Sequence, residues 1–409
     1  MSSGIPYTWD TDCIRASATC RAEGRLGKGT KHHPLEIQST TTKKVVYLSD
    51  SGSSSLHTVG ERMDWKRLTL VFCWLECASA AGISCRNEQG QAVDWYILYK
   101  QPSINDENGL VYLYMDESTG GWVPAHNPID DQKSALAQTL LPLFQHFTNE
   151  TINFGYILYN DQPPEPFKTA SSSFGHSKGL VMMDQETGIW LSHSTPHFPG
   201  FDITGFWPNS GYANGQTFIC GTYKYSAFRN IAVQLQYIHV YSFDAYIPEY
   251  FYPELQCVVD KGCYPKKTPW DRQLNMTSLG GHSFISYAKY SRYHDDLYSG
   301  LLDKHLESAF YAKSWGRLLD PLPSNCSVDF SVYNVETVQL PTTEPYSITK
   351  DHSKWCVTMD SKLHRWTCIA DMNREVSQEH RGGGAICTDN AAVWSAFLDI
   401  VNTYQPCQS

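Results

Sequence analysis

A repeated segment constrains this chain of 409 residues more than any other feature. Residues 176–190 read HSKGLVMMDQETGIW, and residues 352–366 read HSKWCVTMDSKLHRW. Both copies begin His-Ser-Lys, carry an Asp six residues after the Lys (Asp184, Asp360), and end on a Trp six residues after that Asp. A single His-x-Lys arises by chance in many proteins, but two copies with matched spacing indicate an internal duplication. We therefore expect two similar halves.

Each copy is expected to place its His and Lys on the same face of a strand. The apolar runs 179–183 and 355–359 are typical of short buried strands. Strand side chains alternate with a period of two, so His and Lys point together while the intervening Ser points away. A pseudo-two-fold axis between the halves would bring both pairs to one seam. The predicted catalytic set is His176, Lys178, His352 and Lys354.

Two His and two Lys suit the hydrolysis of a phosphodiester. Two fixed ammonium groups can stabilise the phosphoryl transition state without a metal ion. One neutral His can attack phosphorus, while the other, protonated, gives its proton to the leaving oxygen and then activates water. Unlike protonation of the two rings favours mildly acid pH. No cluster of carboxylates is tied to the motifs, so we predict neither a metal ion nor a cofactor.

The net charge of the chain is −10, from 42 acidic and 32 basic residues. This charge argues against a general DNA-binding protein at neutral pH. At about pH 5 the 15 histidines would largely offset it, as expected for an enzyme of an acidic compartment.

The 13 cysteines show no metal-type Cys-x-x-Cys pair and are interpreted as mostly disulfide partners. Three sequons, at Asn149, Asn275 and Asn325, predict N-glycosylation. Together these features indicate a secretory or lysosomal protein.

A signal peptide is expected inside the chain, at residues 63–80. Met63 opens a short basic segment, residues 68–75 are mostly apolar, and Ala78-Ser79-Ala80 fits a cleavage site. The apolar run is too short to span a membrane. Residues 1–62 would then be a disordered or mis-joined extension, and the alternative is an authentic tail on a cytosolic isoform.

Several strings across residues 85–407 resemble the deoxyribonuclease II family, lysosomal acid nucleases related to the phospholipase D superfamily. The most specific strings are Val93-Asp-Trp-Tyr, Tyr99-Lys100, Tyr159-Asn-Asp-Gln-Pro-Pro, Gly175-His-Ser-Lys-Gly, Asp295-Asp-Leu-Tyr-Ser-Gly, Leu322-Pro-Ser-Asn-Cys-Ser, Asp351-His-Ser-Lys-Trp-Cys, Asp371-Met-Asn-Arg and Arg381-Gly-Gly-Gly.

The resemblance implies an α/β, phospholipase D-like fold of two pseudo-symmetric halves, 81–250 and 251–409. Each half would hold a mixed sheet flanked by helices, with one active site at the seam. It also implies an acid endonuclease that cuts DNA without metal through a phosphohistidine intermediate and leaves 3′-phosphate ends. Its place would be the lysosome, partly secreted, where it degrades engulfed or apoptotic DNA.

The resemblance implies individual roles as well. His176 would be the nucleophile and His352 the acid. His193 would position the phosphate or a catalytic group, or else be a hydrogen-bonded histidine at a strand end. Asp184 and Asp360 would orient the histidines.

Disulfide pairs also follow from the resemblance, and Cys356 would remain as a free thiol near the site or a small buried hydrophobic residue. The implied pairs are Cys85–Cys220, Cys326–Cys407 and Cys368–Cys387, which leaves Cys257 and Cys263 to pair locally.

Three further segments have local predictions. Residues 130–147 read as an amphipathic helix with an acidic start, kinked or broken at Pro142. Residues 390–404 read as a terminal helix capped by Asp389 or Asn390, and 248–270 as a connecting loop. The glycines after Arg381 could bind phosphate through backbone N–H groups or form a plain turn.

Two other functions remain open from the sequence. One is a lipid or other phosphodiesterase of the wider superfamily. The other is a catalytically silent DNA-binding relative or toxin, against which the presence of all four motif residues argues. DNA is the expected partner, and the protein is expected to be a monomer or homodimer without a membrane span.

Overall fold

The computed structural model describes most of the chain from residue 82 onward. The described residues are Leu35–Ile37, Lys44–Val46, 82–104, 109–359, 362 and 364–407. The chain divides into two compact units, Met1–Leu70 and Val71–Ser409. In the first, β1 (Leu35–Ile37) pairs antiparallel with β2 (Lys44–Val46). The predicted signal segment 63–80 and Asp360 lie outside the described residues, and so does most of 1–62.

Within the described residues of the second unit, eight strands form an antiparallel sheet in the order β12-β8-β9-β10-β11-β5-β6-β7. They are β5 (Trp95–Lys100), β6 (Tyr112–Asp116), β7 (Val123–Pro124), β8 (Gly155–Asn160), β9 (Lys178–Met183), β10 (Thr187–His193), β11 (Gln216–Lys224) and β12 (Ser242–Tyr246). A short antiparallel pair, β3 (Cys85–Arg86) and β4 (Ala92–Val93), precedes them.

A second sheet of nine described strands runs β13-β14-β20-β19-β18-β15-β16-β17, with β21 also paired to β16. It is mixed, because β15 and β16 run parallel. Its strands are β13 (Asp271–Thr277), β14 (Ser283–Lys289), β15 (Phe310–Lys313), β16 (Val332–Val338), β17 (Tyr346–Ser347), β18 (Trp355–Thr358), β19 (Thr367–Ala370), β20 (Gly383–Thr388) and β21 (Val401–Tyr404).

The described helices are few and mostly short. They are α1 (Ala135–Thr148), α2 (Phe228–Ile238), α3 (Pro253–Val259), α4 (Asp303–Leu306), α5 (Val376–Glu379) and α6 (Ala391–Leu398), with a π-helical turn at Leu297–Leu302. The fold is therefore mixed α/β, as predicted. Among the described helices, none has the length and apolar character needed to cross a membrane.

The two sheets share one hydrophobic core. Trp95 and Tyr99 of the first sheet belong to the same buried cluster as Trp355 and Val357 of the second. The other face of the first sheet is covered by α1, whose Leu140 joins a separate buried cluster with strand residues. Because both faces are covered, β5, β8 and β9 are buried at every position rather than at alternate ones.

The strand order is the same in a large part of both sheets. In the described residues, β8-β9-β10-β11 of the first sheet and β15-β18-β19-β20 of the second follow one another in the same chain order, and in each sheet a strand from earlier in the chain, β5 or β14, pairs next with β11 or β20. The predicted strand after each His-Ser-Lys is present in both, as β9 and β18. These two strands occupy equivalent positions in their sheets.

The predicted helix at 130–147 begins five residues later, at Ala135. Ser134 caps it by accepting a hydrogen bond from the Ala137 N–H at 3.1 Å, so the acidic residues Asp130 and Asp131 precede the helix. Pro142 lies inside the helix and does not end it.

The predicted terminal helix 390–404 is a helix of eight residues followed by a strand of four. Asn390 caps α6 through the N–H groups of Ala392 and Val393, and the helix ends at Leu398. The chain then forms β21, which pairs with β16. The predicted loop 248–270 contains α3, with Pro253 at its first turn.

In the described part of the chain, four disulfides join the cysteines in the expected pairs. They are Cys85–Cys220, Cys257–Cys263, Cys326–Cys407 and Cys368–Cys387. Cys356 is a buried free cysteine. Burial raises the pKa of its thiol, so Cys356 behaves as a small apolar side chain of the core.

Candidate functional site

Both His-Ser-Lys motifs lie just before or at the start of a buried strand, and each is held by a glycine of the other sheet. The His176 N–H donates to the Gly382 carbonyl at 2.9 Å, and the His352 N–H donates to the Gly215 carbonyl at 2.8 Å. Gly382 directly precedes β20 and Gly215 directly precedes β11, which are equivalent strands in the two sheets. Each motif is therefore fixed through its backbone to the residue before a strand of the other sheet.

Gly382 has no room for a side chain. A Cβ atom there would overlap the carbonyl oxygen of Ile238, and one at Gly215 would lie 2.7 Å from the Asp351 carboxyl carbon. The glycines after Arg381 thus serve close packing. Gly383 and Gly384 belong to β20 and neither form a turn nor present a phosphate loop.

His176 is oriented by a carboxylate. Its Nδ1 atom lies 2.8 Å from Oδ2 of Asp161, and the other oxygen of Asp161 pairs with the Lys178 ammonium. Arg381 also contacts Asp161, at 3.2 Å. Burial would raise the pKa of Asp161, but Lys178 and His176 hold that pKa well below its ordinary value. Asp161 is therefore an anion throughout the mildly acid range.

Protonation of His176 is opposed by its surroundings. Burial lowers its pKa to about 4; Asp161 works against this shift, while the charges of Lys178 and Lys354 add to it. Among the described residues no protein group hydrogen-bonds its Nε2 atom, which is buried. This nitrogen is therefore available to a reacting group.

His352 has a different partner. Its Nδ1–H donates to the backbone carbonyl of Ser194 at 2.7 Å, which leaves Nε2 with the lone pair in the neutral ring. The Lys354 ammonium lies 3.3 Å from that Nε2, and Trp315 packs edge-on against the ring at 5.2 Å. Burial, then Lys354, Lys178 and His176, lower the pKa of His352 well below its ordinary value. The neutral ring is thus strongly favoured.

His193 ends β10 and is buried between the rings of Phe198 and Phe218. Its Nδ1 accepts a hydrogen bond from the Thr195 N–H at 3.1 Å, so the proton of the neutral ring is on Nε2. Burial and the charges of Lys178 and Lys354 lower its pKa well below the ordinary value. Among the described groups its Nε2 has no hydrogen-bond partner, so it can donate to a ligand.

Asp371 is a buried carboxyl that the motif analysis did not single out. It follows β19, as Ser194 follows β10, and Oδ1 lies 3.4 Å from the Ser192 hydroxyl. Burial raises its pKa to about 7, against the opposing charges of Lys178 and Lys354. Asp371 is therefore neutral in acid and gains its charge near neutrality.

A buried polar cluster around Asp351 adjoins the second motif, His352-Ser353-Lys354. Asp351 pairs with the Lys313 ammonium at 2.9 Å, and both side chains are fully buried. The Tyr99 hydroxyl donates to the same carboxylate at 2.6 Å, and the Ser353 N–H does so at 2.9 Å. This cluster joins β5 of the first sheet to β15 and to the residues before β18.

Asp184 is not brought to this site. It lies at the opposite end of β9 from Lys178, roughly 20 Å away along a strand, and accepts hydrogen bonds from the N–H groups of Glu186 and Thr187 in the turn that leads to β10. The orienting carboxylate of His176 is Asp161, fifteen residues upstream.

Asp161 and Arg381 were within the family-like strings but had no assigned role. A signal for Asp161 exists in its position directly after the apolar strand β8. Arg381 offers no comparable local signal, because its partner Asp161 is 220 residues away in the chain.

In the residues that the structure describes, no group of three or more His, Cys, Asp or Glu is arranged to hold a metal ion.

Comparison with known proteins gives one consistent family. The family model for Deoxyribonuclease II matches residues 84–407. Deoxyribonuclease-2-alpha of Sus scrofa is 39% identical over 339 residues, which is 80% of this chain and 91% of the relative. Deoxyribonuclease-2-beta of Homo sapiens is 36% identical over 80% of this chain and 93% of its own length. Plancitoxin-1 of Acanthaster planci is also 36% identical, over 80% of this chain and 94% of its own length.

Proposed function

Because the chain belongs to the deoxyribonuclease II family, we propose that it is an acid endonuclease that hydrolyses DNA phosphodiester bonds without a metal ion. The observation that carries the proposal is the meeting of the two His-Ser-Lys motifs. The positive charge of Lys354 lowers the pKa of His176, and the positive charge of Lys178 lowers the pKa of His352. Two histidines and two lysines at one place match the needs of phosphoryl transfer.

We propose further that the fold consists of two phospholipase D-like halves related by a pseudo-two-fold axis. The matched strand order of the two sheets supports this. The reciprocal hydrogen bonds of His176 to Gly382 and of His352 to Gly215 support it too, because each glycine precedes an equivalent strand. The halves would be 81–250 and 251–409, with the active site at their seam.

The first chemical step assigns unlike roles to the histidines. The general acid must carry a proton before the reaction, and Asp161 makes this state more accessible to His176 than to His352, which has only a neutral carbonyl at Nδ1. His352 is then the nucleophile, the reverse of the roles that the family resemblance implies. Its Nε2 lone pair forms a bond to phosphorus, and the bond from phosphorus to the 5′ oxygen breaks. His176 gives its proton to that oxygen.

The second step releases the product. His176, now neutral, takes a proton from a water molecule, whose oxygen attacks phosphorus as the bond to His352 breaks. The 3′-phosphate leaves, His352 is again neutral, and His176 is again protonated. Lys178, Lys354 and the Nε2–H of His193 would stabilise the charge on the equatorial oxygens in both steps.

An acid optimum follows from two groups. His176 is protonated more often as the pH falls toward its pKa of about 4. Asp371 loses its charge below its pKa of about 7, and a neutral carboxyl no longer competes with the DNA phosphate for Lys178 and Lys354.

For location, we propose the secretory pathway and the lysosome, where the substrate would be engulfed or apoptotic DNA. Two observations support this: the described residues contain four disulfides, and the sequon residues Asn149 and Asn275 are exposed. Sequencing of the mature N-terminus tests the proposed cleavage near Ala81.

The nuclease proposal is tested with supercoiled plasmid DNA at about pH 5 in the presence of a chelator. We expect nicking by the wild type and none by His352→Ala or His176→Ala. Cutting only after metal is added, or retained activity in His352→Ala, would contradict the proposal.

The roles of the two histidines are separated with a DNA diester that has a p-nitrophenolate leaving group. This leaving group needs no proton, so the His176→Ala protein should still form a phosphohistidine. Proteolysis without exposure to acid, followed by peptide mapping, should locate the phosphate at His352. A phosphohistidine at His176 in the His352→Ala protein would instead reverse the assignment.

A further inference from the structure

Beside the catalytic groups lies a local concentration of positive charge in an acidic chain. Residues 261–272, between α3 and the first residues of β13, contain four basic residues and one acidic residue, Asp271. Lys266 and Lys267 are exposed, and so is Arg292 after β14. In a chain with a net charge of −10, this segment is locally positive.

A line of aromatic rings connects this segment to the catalytic site. Trp270 lies 6.0 Å from Tyr290, Tyr290 stacks on Tyr264 at 5.6 Å, and Tyr264 lies 4.9 Å from His239. His239 in turn stacks on Phe174 at 4.7 Å. We call these five residues, together with Lys261, Lys266, Lys267 and Arg292, the aromatic–basic strip.

The strip ends on the catalytic groups themselves. The Phe174 carbonyl accepts a hydrogen bond from Nε of Arg381 at 3.2 Å, and Arg381 contacts Asp161 at 3.2 Å. The His239 carbonyl accepts from the Gly175 N–H at 2.8 Å, directly before His176. Tyr290 and His239 are buried within this line of rings, whereas Trp270, Tyr264 and Phe174 are partly exposed and form its accessible part.

The rings of the strip hold cations in place. The Lys266 ammonium lies 3.2 Å from the centre of the Tyr264 ring, and the Arg292 guanidinium lies 5.3 Å from that of Trp270. Lys261 lies 4.4 Å from the ring of Tyr241, which contacts Phe174 edge-on. An exposed lysine usually samples many rotamers, whereas a ring beneath the cation restricts it to fewer. Three of the cations, Lys261, Lys266 and Arg292, are thus each held over an aromatic ring.

We propose that the aromatic–basic strip binds the phosphate backbone of DNA on one side of the scissile phosphate. The inference rests on the proposed nuclease function and names a part of the substrate site outside the catalytic centre. Several exposed cations along one line of rings suit the repeating negative charge of a DNA strand. In the part of the chain that the structure describes, neither Asp260 nor Asp271 forms an ion pair with Lys266, Lys267 or Arg292, and these three exposed cations can be reached by a phosphate from solvent.

The test replaces the three outer cations together, as Lys266→Gln/Lys267→Gln/Arg292→Gln. None of them belongs to the catalytic machinery. With plasmid or long duplex DNA we expect KM to rise and kcat to stay nearly constant. The slope of log KM against log salt concentration should fall by roughly 2 to 3, because each lost phosphate contact removes about 0.9 from it.

Matched variants guard against trivial effects. Lys133→Gln/Lys224→Gln/Lys304→Gln removes the same charge from exposed lysines on other elements and should leave the salt slope unchanged. Lys266→Arg/Lys267→Arg keeps the charge and should keep the wild-type KM. If the strip variant and the control variant change KM and the salt slope alike, only net charge matters and the proposal is wrong.

A small substrate separates this inference from the nuclease proposal. Thymidine 3′-(p-nitrophenyl phosphate) has no flanking phosphates, so its hydrolysis reports on the catalytic centre alone. The strip variant should hydrolyse it at the wild-type rate. Failure of the wild type to cut DNA would overturn the nuclease proposal, whereas an unchanged KM and salt slope for long DNA in the strip variant would overturn the strip.

Discussion

At the scale of single residues, Asp161 is the carboxylate that raises the pKa of His176 against the effect of burial. It is an anion through the acid range because Lys178 and His176 hold its pKa well below the ordinary value against the effect of burial. Arg381 and Lys178 fix its two oxygens, so the carboxylate cannot turn away from the Nδ1 atom of His176. The proposed acid role of His176 therefore depends on a residue outside the repeated motif.

Asp161→Asn should weaken the enzyme and move its pH optimum. Without the carboxylate, nothing offsets burial and the two lysine charges, so the pKa of His176 falls further below about 4. A more acid solution is then needed to protonate the ring. We expect kcat at about pH 5 to fall by about 100-fold, the usual contribution of a positioned general acid, and the optimum to shift to lower pH.

The measurement is a kcat–pH profile on plasmid DNA. Asp184→Asn is the matched control, because Asp184 sits in the turn after β9 and not in the site. A fall in kcat with an unshifted optimum would assign Asp161 a purely structural role.

At the scale of elements, the sequence predicted what depends on local pattern. The buried strands β9 and β18 were predictable because each follows a His-Ser-Lys with a short apolar run. The start of α1 was missed because Asp130 resembles a first-turn acid, while the actual cap is Ser134. The strand β21 was missed because its apolar spacing also fits a helix, and pairing with β16 decides between them.

Contacts between distant segments were beyond the sequence. Arg381 meets Asp161 across 220 residues, and Asp351 meets Tyr99 across 252. Neither contact leaves a periodic signal, because each is created by the packing of the two sheets. The site was therefore predictable as a set of four motif residues, whereas the groups that orient them required the structure.

The buried Lys313–Asp351 pair joins elements, and its loss should be costly. Lys313→Met leaves a buried carboxylate without its cation, which typically costs about 3–5 kcal/mol. Burial alone would raise the pKa of Asp351, and Lys313 with the Tyr99 hydroxyl keeps that pKa below its ordinary value. Without Lys313 the residues before β18 should also be less well held.

Urea unfolding at neutral pH gives the free energy of unfolding for this variant. Lys304→Met, at an exposed position in α4, is the comparison and should change it by less than about 0.5 kcal/mol. Equal changes in both variants would show that the buried pair contributes nothing specific.

At the scale of the whole molecule, the acid function opposes stability. His176, His193 and His352 are buried as neutral rings with lowered pKa values, whereas in the unfolded chain they titrate at about 6.5. At a pH between the lowered pKa of the folded state and the pKa of about 6.5 of the unfolded state, these histidines bind protons in the unfolded chain and not in the folded chain. The stability that they contribute is present above about pH 6.5 and is lost as the pH falls.

Asp371 acts in the opposite direction. Its pKa is raised to about 7 in the folded protein, so it contributes stability below the pKa of the unfolded state that is lost as pH rises through about 7. Burial also raises the pKa of Asp303, to about 6, so these two carboxyls together offset two of the three histidines. We therefore expect the free energy of unfolding to decrease from about pH 7 to about pH 5, by about 1.4 kcal/mol per pH unit for each proton that remains unbalanced.

His193→Gln isolates one of these protons. His193 has no carboxylate among its described partners, so its replacement removes a titrating group while Asp161, Asp351 and Asp371 keep their contacts. The variant should unfold more easily at neutral pH, yet lose less stability on acidification, with a slope lower by about 1.4 kcal/mol per pH unit. Urea titrations at several pH values between about 5 and 6, below the unfolded-state pKa of about 6.5, measure that slope. A slope equal to that of the wild type would mean that His193 is already protonated in the folded enzyme, and the acid-compartment function would then carry no cost in stability from this residue.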